Sequence, residues 1–366
     1  RRQDAAKLAY SWDFRMKDTP AFFEIGARTN FSFLEGAARP EEMVFTASAR
    51  SLSGLGIADR NSVAGVVRAF TKVRDMKARF KRAEEIGAEA VLKEDDEPIL
   101  WPVSVQPGAR LVFADGTPDV LAYPRNRKGW ANLCRLLSRG NLRTEKGSCI
   151  LEEWDLLEWC SEMMLAVVPD FSRAEDGAYL ADLEERLGRY REKFQKNIYL
   201  VLSPTYDGRD VVVLATLART ASRIRMPLVA TNLPLFHLPF RRSLSDVVTA
   251  IREHVTVQEA GFRLASNGER HIKQGAEMVR LFRRYPEAVA NTEKFFRSLK
   301  FSLDELSHNY PDESVPGETP FETLKRLTYE GAVWRYGEIP SEIEGQIKYE
   351  LKLIEDKKYA PYFLTV

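Results

Sequence analysis

The sequence predicts an α/β barrel followed by a mainly helical region. Three observations carry this. Short apolar runs alternate with helical stretches as far as Pro239, no glycine-rich phosphate fingerprint occurs, and strand-like runs nearly vanish beyond Pro239. Alternation of this kind builds a mostly parallel barrel or a doubly wound sheet. About seven strands without the fingerprint favour the barrel.

The stretch FFEIGARTNFSFLEG at residues 22–36 opens the pattern. Its apolar start suits a buried strand over residues 22–25. Gly26-Ala27-Arg28-Thr29-Asn30 then makes a polar turn ahead of a helix. In barrels of such units the chemistry sits where strands end. Pro40 suits a first helical turn and Glu41 and Glu42 suit the positive helix end, which predicts a helix over 40–52. Residues 54–58 read as a second strand, ending at Asp59-Arg60-Asn61, and Ser62 is expected to cap the long helix after it.

That helix carries Arg68, Lys72, Arg74, Lys77, Arg79, Lys81 and Arg82. Such a run ordinarily coats a solvated face; the sharper reading is a patch that tracks phosphates. Residues 94–98 form an acidic turn. Further strands are predicted at 109–113, 120–123, 165–168, 198–202 and 228–231, with a turn at Asp115-Gly116. Helices are predicted at 129–138, 177–194 and 209–223. The last strand ends at Asn232-Leu233-Pro234-Leu235. Beyond it, residues 243–254, 275–299, 320–336 and 341–357 are helical by period. Three segments follow: an extension over 1–20, a barrel domain over 21–238, and a helical domain over 239–366. The chain begins at Arg1 rather than Met and stops on the apolar tail YFLTV. It is expected to be a piece of something longer.

Composition excludes several classes. The chain has 366 residues, 44% hydrophobic and 29% charged, which allows a large core. A formal net charge of +1 gives no global basic excess for nucleic acid, so any such contact must be local. Cys134, Cys149 and Cys160 lack metal-type spacing and read as reduced thiols of a cytoplasmic protein. No apolar run is long enough for a bilayer, and no membrane partner is expected. His237, His254, His271 and His308 share no ligand spacing, and each is assigned a surface or capping role. The acidic clusters at 94–97 and at Asp312-Glu313 read as solvated surface.

Six stretches now in hand resemble a known family: NFSFLEGAARPEEMV, GLGIADRNSVAGVVRAF, PGARLVFADGTPDVLAYPRNRKGWANLCRLLSRGNL, VVTAIREHVTVQEAGFRL, LFRRYPEAVANT and FSLDEL. Together they are similar to the amino-terminal part of an error-prone, DnaE-type DNA polymerase of the C family. The resemblance implies a PHP-type (polymerase and histidinol phosphatase) distorted (β/α)7 barrel followed by a partial, mainly helical palm domain. It also implies that YAPYFLTV is followed by a nucleotide-handling Gly-Arg-Gly-Ser segment and by the palm aspartates that hold magnesium. This stretch alone is therefore expected to have no catalytic residue, no cofactor of its own and no polymerase activity, with Mg2+ serving the full-length enzyme. The implied partners are DNA, mutagenesis-complex proteins and a sliding clamp.

Active PHP barrels hold metals with histidines and carboxylates at the strand ends. By resemblance these positions fall on Gly26 and Arg28, on Asp59 and Arg60, on Arg110, on Asp119, and on Leu233 and Leu235. Three of them are arginine, which has no lone pair to donate and stays charged. At an effective dielectric of about 20, two unit charges about 4 Å apart interact by about 4 kcal/mol. Three such cations would oppose a divalent metal. The expectation is a plug in which Arg28, Arg60 and Arg110 pair with Asp59, Asp119 and Glu24, and no metal is held. Two alternatives remain: a metal-dependent phosphoesterase or 3′–5′ exonuclease, and a binding module. In the module, Arg68, Lys72, Arg79 and Arg82, with Arg280, Arg283 and Arg284, would touch DNA or a partner.

Overall fold

A computed structural model describes residues 21–93, 97–307, 310, 311 and 313–366. The expected extension at 1–20, most of the acidic turn, His308 and Asp312 lie outside the described residues.

Seven strands form one curled sheet in chain order: β1 (Phe23–Ala27), β2 (Gly54–Arg60), β3 (Val105–Leu111), β4 (Asp119–Pro124), β5 (Met163–Val168), β6 (Ile198–Leu202) and β7 (Leu228–Ala230). All pairs are parallel except those of β4, which runs antiparallel to β3 and β5. The short turn at Asp115-Gly116 forces this, because a parallel partner needs a long crossover. Gly116 supplies the left-handed backbone there, at φ 82°.

Side chains alternate between two apolar clusters with the strand period. Met163, Leu165 and Val167 of β5 join the larger cluster, which also takes in the flanking helices. Met164, Ala166 and Val168 join the smaller one. Tyr199 and Val201 of β6 and Val229 of β7 continue the smaller cluster. Such period-two sorting is what a strand buried on both faces requires.

The helices of this part are α1 (Pro40–Ala49), α2 (Val66–Ile86), α3 (Ala88–Leu92), α4 (Arg127–Leu142), α5 (Glu153–Trp159), α6 (Gly177–Phe194), α7 (Asp210–Arg223), α8 (Arg242–Arg252), α9 (Gly275–Leu281) and α10 (Pro286–Arg297). Pro40 does open α1, and Glu42 accepts the Arg39 amide at 2.8 Å. Ser62 does not cap α2. The helix starts later, after Gly65, and Ser62 Oγ accepts the Ala64 amide within the turn. The expected helix over 275–299 is two helices, because Pro286 starts a new one and holds Tyr285 out of helical geometry. Strand β3 begins earlier than expected and runs through Pro107 and Gly108.

Helix α10 inserts Phe295, Phe296 and, just past its end, Leu299 into the smaller cluster. Asn291 donates to the Leu228 carbonyl of β7 at 2.9 Å, and Thr292 Oγ1 accepts the Phe23 amide of β1 at 3.4 Å. One helix thus touches both outer strands of the sheet.

The chain divides into two compact units, one ending at Glu305 and one covering Leu306–Val366. The second contains α11 (Pro320–Tyr336), α12 (Ser341–Asp356) and α13 (Ala360–Thr365). A capping box between Thr319 and Glu322 starts α11. The apolar tail forms α13. No helix among the described residues is long and apolar enough to cross a membrane.

Candidate functional site

The ends of β1, β2, β3 and β7 meet at one mouth. Strand β2 runs to Arg60, two residues past the expected end, because Asp59 and Arg60 still pair with Ala109 and Arg110 of β3. The loop after β1 folds back over this mouth. Asn30 donates to the Ala38 carbonyl and Ala37 to that of Leu235, both at 2.8 Å.

Ion pairs fill the mouth. Arg110 meets Asp119 across the β3–β4 hairpin at 2.5 Å, as expected. The partner of Arg28 and Arg60 is neither Asp59 nor Glu24 but Glu35. Arg28 Nη1 lies 2.7 Å from one Glu35 oxygen and Arg60 Nη1 lies 2.5 Å from the other. Burial works to raise the Glu35 pKa, but Arg28, the bond from Arg60 and the charge of Arg110 outweigh it and hold the carboxyl at about 2.

Asp59 is wholly buried and serves the loop instead. It accepts the Thr29 amide at 2.7 Å, and the Thr29 and Ser32 hydroxyls at 2.8 Å each. Burial raises its pKa and these donors oppose the rise. Glu24 joins β1 to the segment after β7. It accepts the Gly26 amide at 2.8 Å, the Asn232 amide at 2.9 Å and the Thr231 hydroxyl. Its pKa is likewise raised by burial.

Gly26 and Leu233 face each other. A Cβ on Gly26 would lie 2.5 Å from Leu233 Cδ2, so only glycine fits. Leu233 holds a left-handed backbone at φ 45°, pinned by its amide to Thr231 Oγ1 and by its carbonyl to Arg270. Leu235 is half-buried, and its carbonyl, not its side chain, ties down the loop.

Sequence reasoning missed Glu35 and Arg270. Neither lies at a strand end, and both arrive through chain reversals. Burial lowers the Arg270 pKa to about 10, and the charge of Arg110 adds to that. Burial, Arg110 and Arg270 lower the Arg28 pKa in the same way.

These residues do not fit a divalent metal. The guanidiniums of Arg28, Arg60 and Arg110 have no lone pair to donate, a leucine fills the space beside Gly26, and the Asp59 oxygens are engaged by three donors. Among the described residues no group of three or more histidine, cysteine or acidic side chains could hold such an ion.

The histidines need correction. His237 and His271 are buried rather than surface or capping residues. The chain after β7 bridges Phe236 to His271, and Lys273 packs between Glu269 at 2.6 Å and Glu277 at 3.1 Å. His254 does follow the end of α8, in a left-handed conformation.

The basic residues fall into two groups. On α2, Arg68 pairs with Glu41 at 3.6 Å, Lys72 pairs with Glu97 at 2.5 Å, and Arg79 donates to the Glu97 carbonyl at 2.7 Å. Arg82 is exposed on the same helix. Arg280, in the last turn of α9, and Arg283 and Arg284, between α9 and α10, are exposed and have no carboxylate partner among the described residues.

Comparison with known proteins agrees with the fold. Residues 25–204 match the PHP domain. The error-prone DNA polymerase of Sinorhizobium medicae is 56% identical over 355 residues, covering 96% of this chain and 29% of the relative. Error-prone DNA polymerase 1 of Rhizobium meliloti is 54% identical over 352 residues, with the same coverage. The error-prone DNA polymerase of Mesorhizobium japonicum is 45% identical over 350 residues, covering 94% of this chain and 28% of the relative. The chain thus spans about three tenths of the length of these curated relatives. It carries a PHP domain and is, along nearly all its length, a homologue of the error-prone DNA polymerases.

Proposed function

We propose that this chain is the amino-terminal portion of an error-prone DNA-directed DNA polymerase, with its PHP barrel serving as a scaffold that holds no metal. The observation that carries the reading is the similarity to error-prone DNA polymerases over 96% of the chain. The mouth supports the scaffold role, since paired arginines and a leucine stand where a phosphoesterase would need metal ligands.

In this reading the chain by itself incorporates no nucleotide, and Mg2+ acts in the full-length enzyme. Two-metal phosphoryl transfer needs clustered carboxylates to neutralise developing charge, and the described residues offer no such cluster. Contact with DNA falls to Arg280, Arg283 and Arg284 rather than to α2, whose Arg68 and Lys72 are engaged by the protein's own carboxylates. Mutagenesis-complex proteins or a sliding clamp would be partners of the full-length enzyme in the cytoplasm.

Primer extension on a templated DNA, run with the chain alone and with magnesium or manganese, tests the reading. No incorporation and no nucleotide release from a single strand are expected. Metal-dependent release abolished by Arg60→Ala would instead establish the phosphoesterase.

A further inference from the structure

The face where the strands begin, opposite the charged mouth, carries a cleft of its own. It measures about 560 Å³ and lies between the end of α1, one side of α2, the segment leading into β3, and residues 300–304. Ser53 stands one residue before β2 and Ser104 one residue before β3. The Lys300 amide donates to the Arg125 carbonyl, just past β4, at 3.0 Å. All of these residues belong to the first compact unit.

The walls are apolar and partly aromatic, built from Leu52, Phe70, Val73, Ile99, Val103 and Phe301. The polar groups on them are largely uncommitted. Lys77 and Lys300 are exposed at the rim, and neither has an ion-pair partner among the described residues. The hydroxyls of Ser51, Ser53 and Ser104 make no hydrogen bond among those residues. Gln106 also lines the cleft, and its Oε1 is buried without a donor. The one carboxylate on the described lining, Asp304, accepts the Ser302 hydroxyl at 3.2 Å and pairs with neither lysine.

A concavity of about 300–1,000 Å³ with apolar walls and a few polar groups is the usual form of a small-molecule site. Two ammonium groups beside low-dielectric walls attract an anion more strongly than they would in open water. A buried acceptor without a donor favours a ligand that brings an N–H or O–H. We propose that this cleft binds a small organic anion with a flat apolar body, of the aromatic sulfonate or carboxylate class. Its rings lie against Phe70 and Phe301, and Lys77 and Lys300 meet its charge. The site shares no residue with the mouth and does not depend on polymerase activity, so a failed primer extension leaves it standing.

The test uses the whole 366-residue chain. The probe is anilinonaphthalene sulfonate, which joins a flat apolar body, an N–H and one negative charge. Its uncharged relative, phenylnaphthylamine, is the reference. Fluorescence titration and calorimetry should show one saturable sulfonate site per chain. Lys77→Gln combined with Lys300→Gln should weaken the sulfonate about tenfold and leave the neutral dye nearly unchanged. Both lysines are exposed, and an unchanged melting temperature verifies that the variant folds. Ser104→Trp, at an exposed position on the rim, should obstruct the cleft and weaken both dyes, while Arg284→Gln should affect neither. Sulfonate affinity unchanged in the double lysine variant, or undiminished in a folded Ser104→Trp, overturns the proposal. So does binding of several dyes per chain with no saturable class.

Discussion

Arg28 and Glu35 form an ion pair at 2.7 Å in which both side chains are about nine-tenths buried. Removing one partner of such a pair strands the other charge, which ordinarily costs more than the pair itself contributes. Glu35 also holds Arg60, so its loss strands one buried and one half-exposed cation. Glu35→Gln is expected to lower stability by about 3 kcal/mol. Urea unfolding measures it, and a loss under about 1 kcal/mol would show that solvent already screens the pair.

The same carboxylate sets an acid limb. Its folded pKa of about 2 lies below the unfolded value of 4.5. Its contribution to stability is therefore complete above about pH 4.5 and is lost as pH falls towards 2, by up to about 3 kcal/mol. Glu24 and Asp59 act in the opposite sense, because burial raises their pKa and protonation favours the folded form. Melting temperature against pH should drop steeply below 4.5 in the parent chain. In Glu35→Gln that drop should be shallower; an identical profile would rule out Glu35 as its source.

Tyr123 occupies space that two glycines leave open. A Cβ on Gly108 would sit 2.5 Å from its ring, and one on Gly56 2.4 Å from its hydroxyl, which donates to the Ile25 carbonyl. Gly108→Ala should cost about 2 kcal/mol through overpacking. Adding Tyr123→Leu should recover part of that loss in a double-mutant cycle. Strict additivity would mean that the ring does not press on residue 108.

Glu24 accepts three bonds, one from Gly26 within the first strand and two, from Thr231 and Asn232, that join that strand to the segment after the last. Glu24→Ala removes all three and leaves buried donors unsatisfied, at a cost of about 2–3 kcal/mol. Amide hydrogen exchange should accelerate at Gly26 and Asn232 before it does in β5 and β6. Uniform acceleration across the sheet would show that Glu24 has no local role.

Affinity for single-stranded DNA should fall with salt. Replacing Arg280, Arg283 and Arg284 together by Gln should reduce the slope of log K against log salt by about 2. Replacing Arg68, Lys72 and Arg79 should change it by less than 1, since each already has a partner within the protein. The reverse ranking would move the contact to α2.

Much of the fold was legible because strand and helix periods are local. The helix Gly177–Phe194 and the strand Ile198–Leu202 fall where their patterns place them. The ends of β2 were less legible, since a polar Asp59-Arg60 reads as a turn until β3 lies beside it. At the mouth, the pairing of Arg110 with Asp119 follows from hairpin proximity and could be anticipated. Glu35 could not, because it reaches Arg28 and Arg60 only when the loop after β1 is tied to Ala38 and Leu235. Arg270 returns from a segment far along the chain, and nothing near it in sequence marks a role.

The aromatic pair Phe295 and Phe296 settles what the smallest self-sufficient version of the barrel must include. Phe296 packs tilted against Phe23, and Phe295 meets Tyr123 and Tyr199 edge-on, at centroid separations of 4.9 to 5.7 Å. A gene fragment ending just after the seventh strand would lay that floor open to water and would come out of the cell as aggregate. One that runs on past Leu299 carries its own stopper.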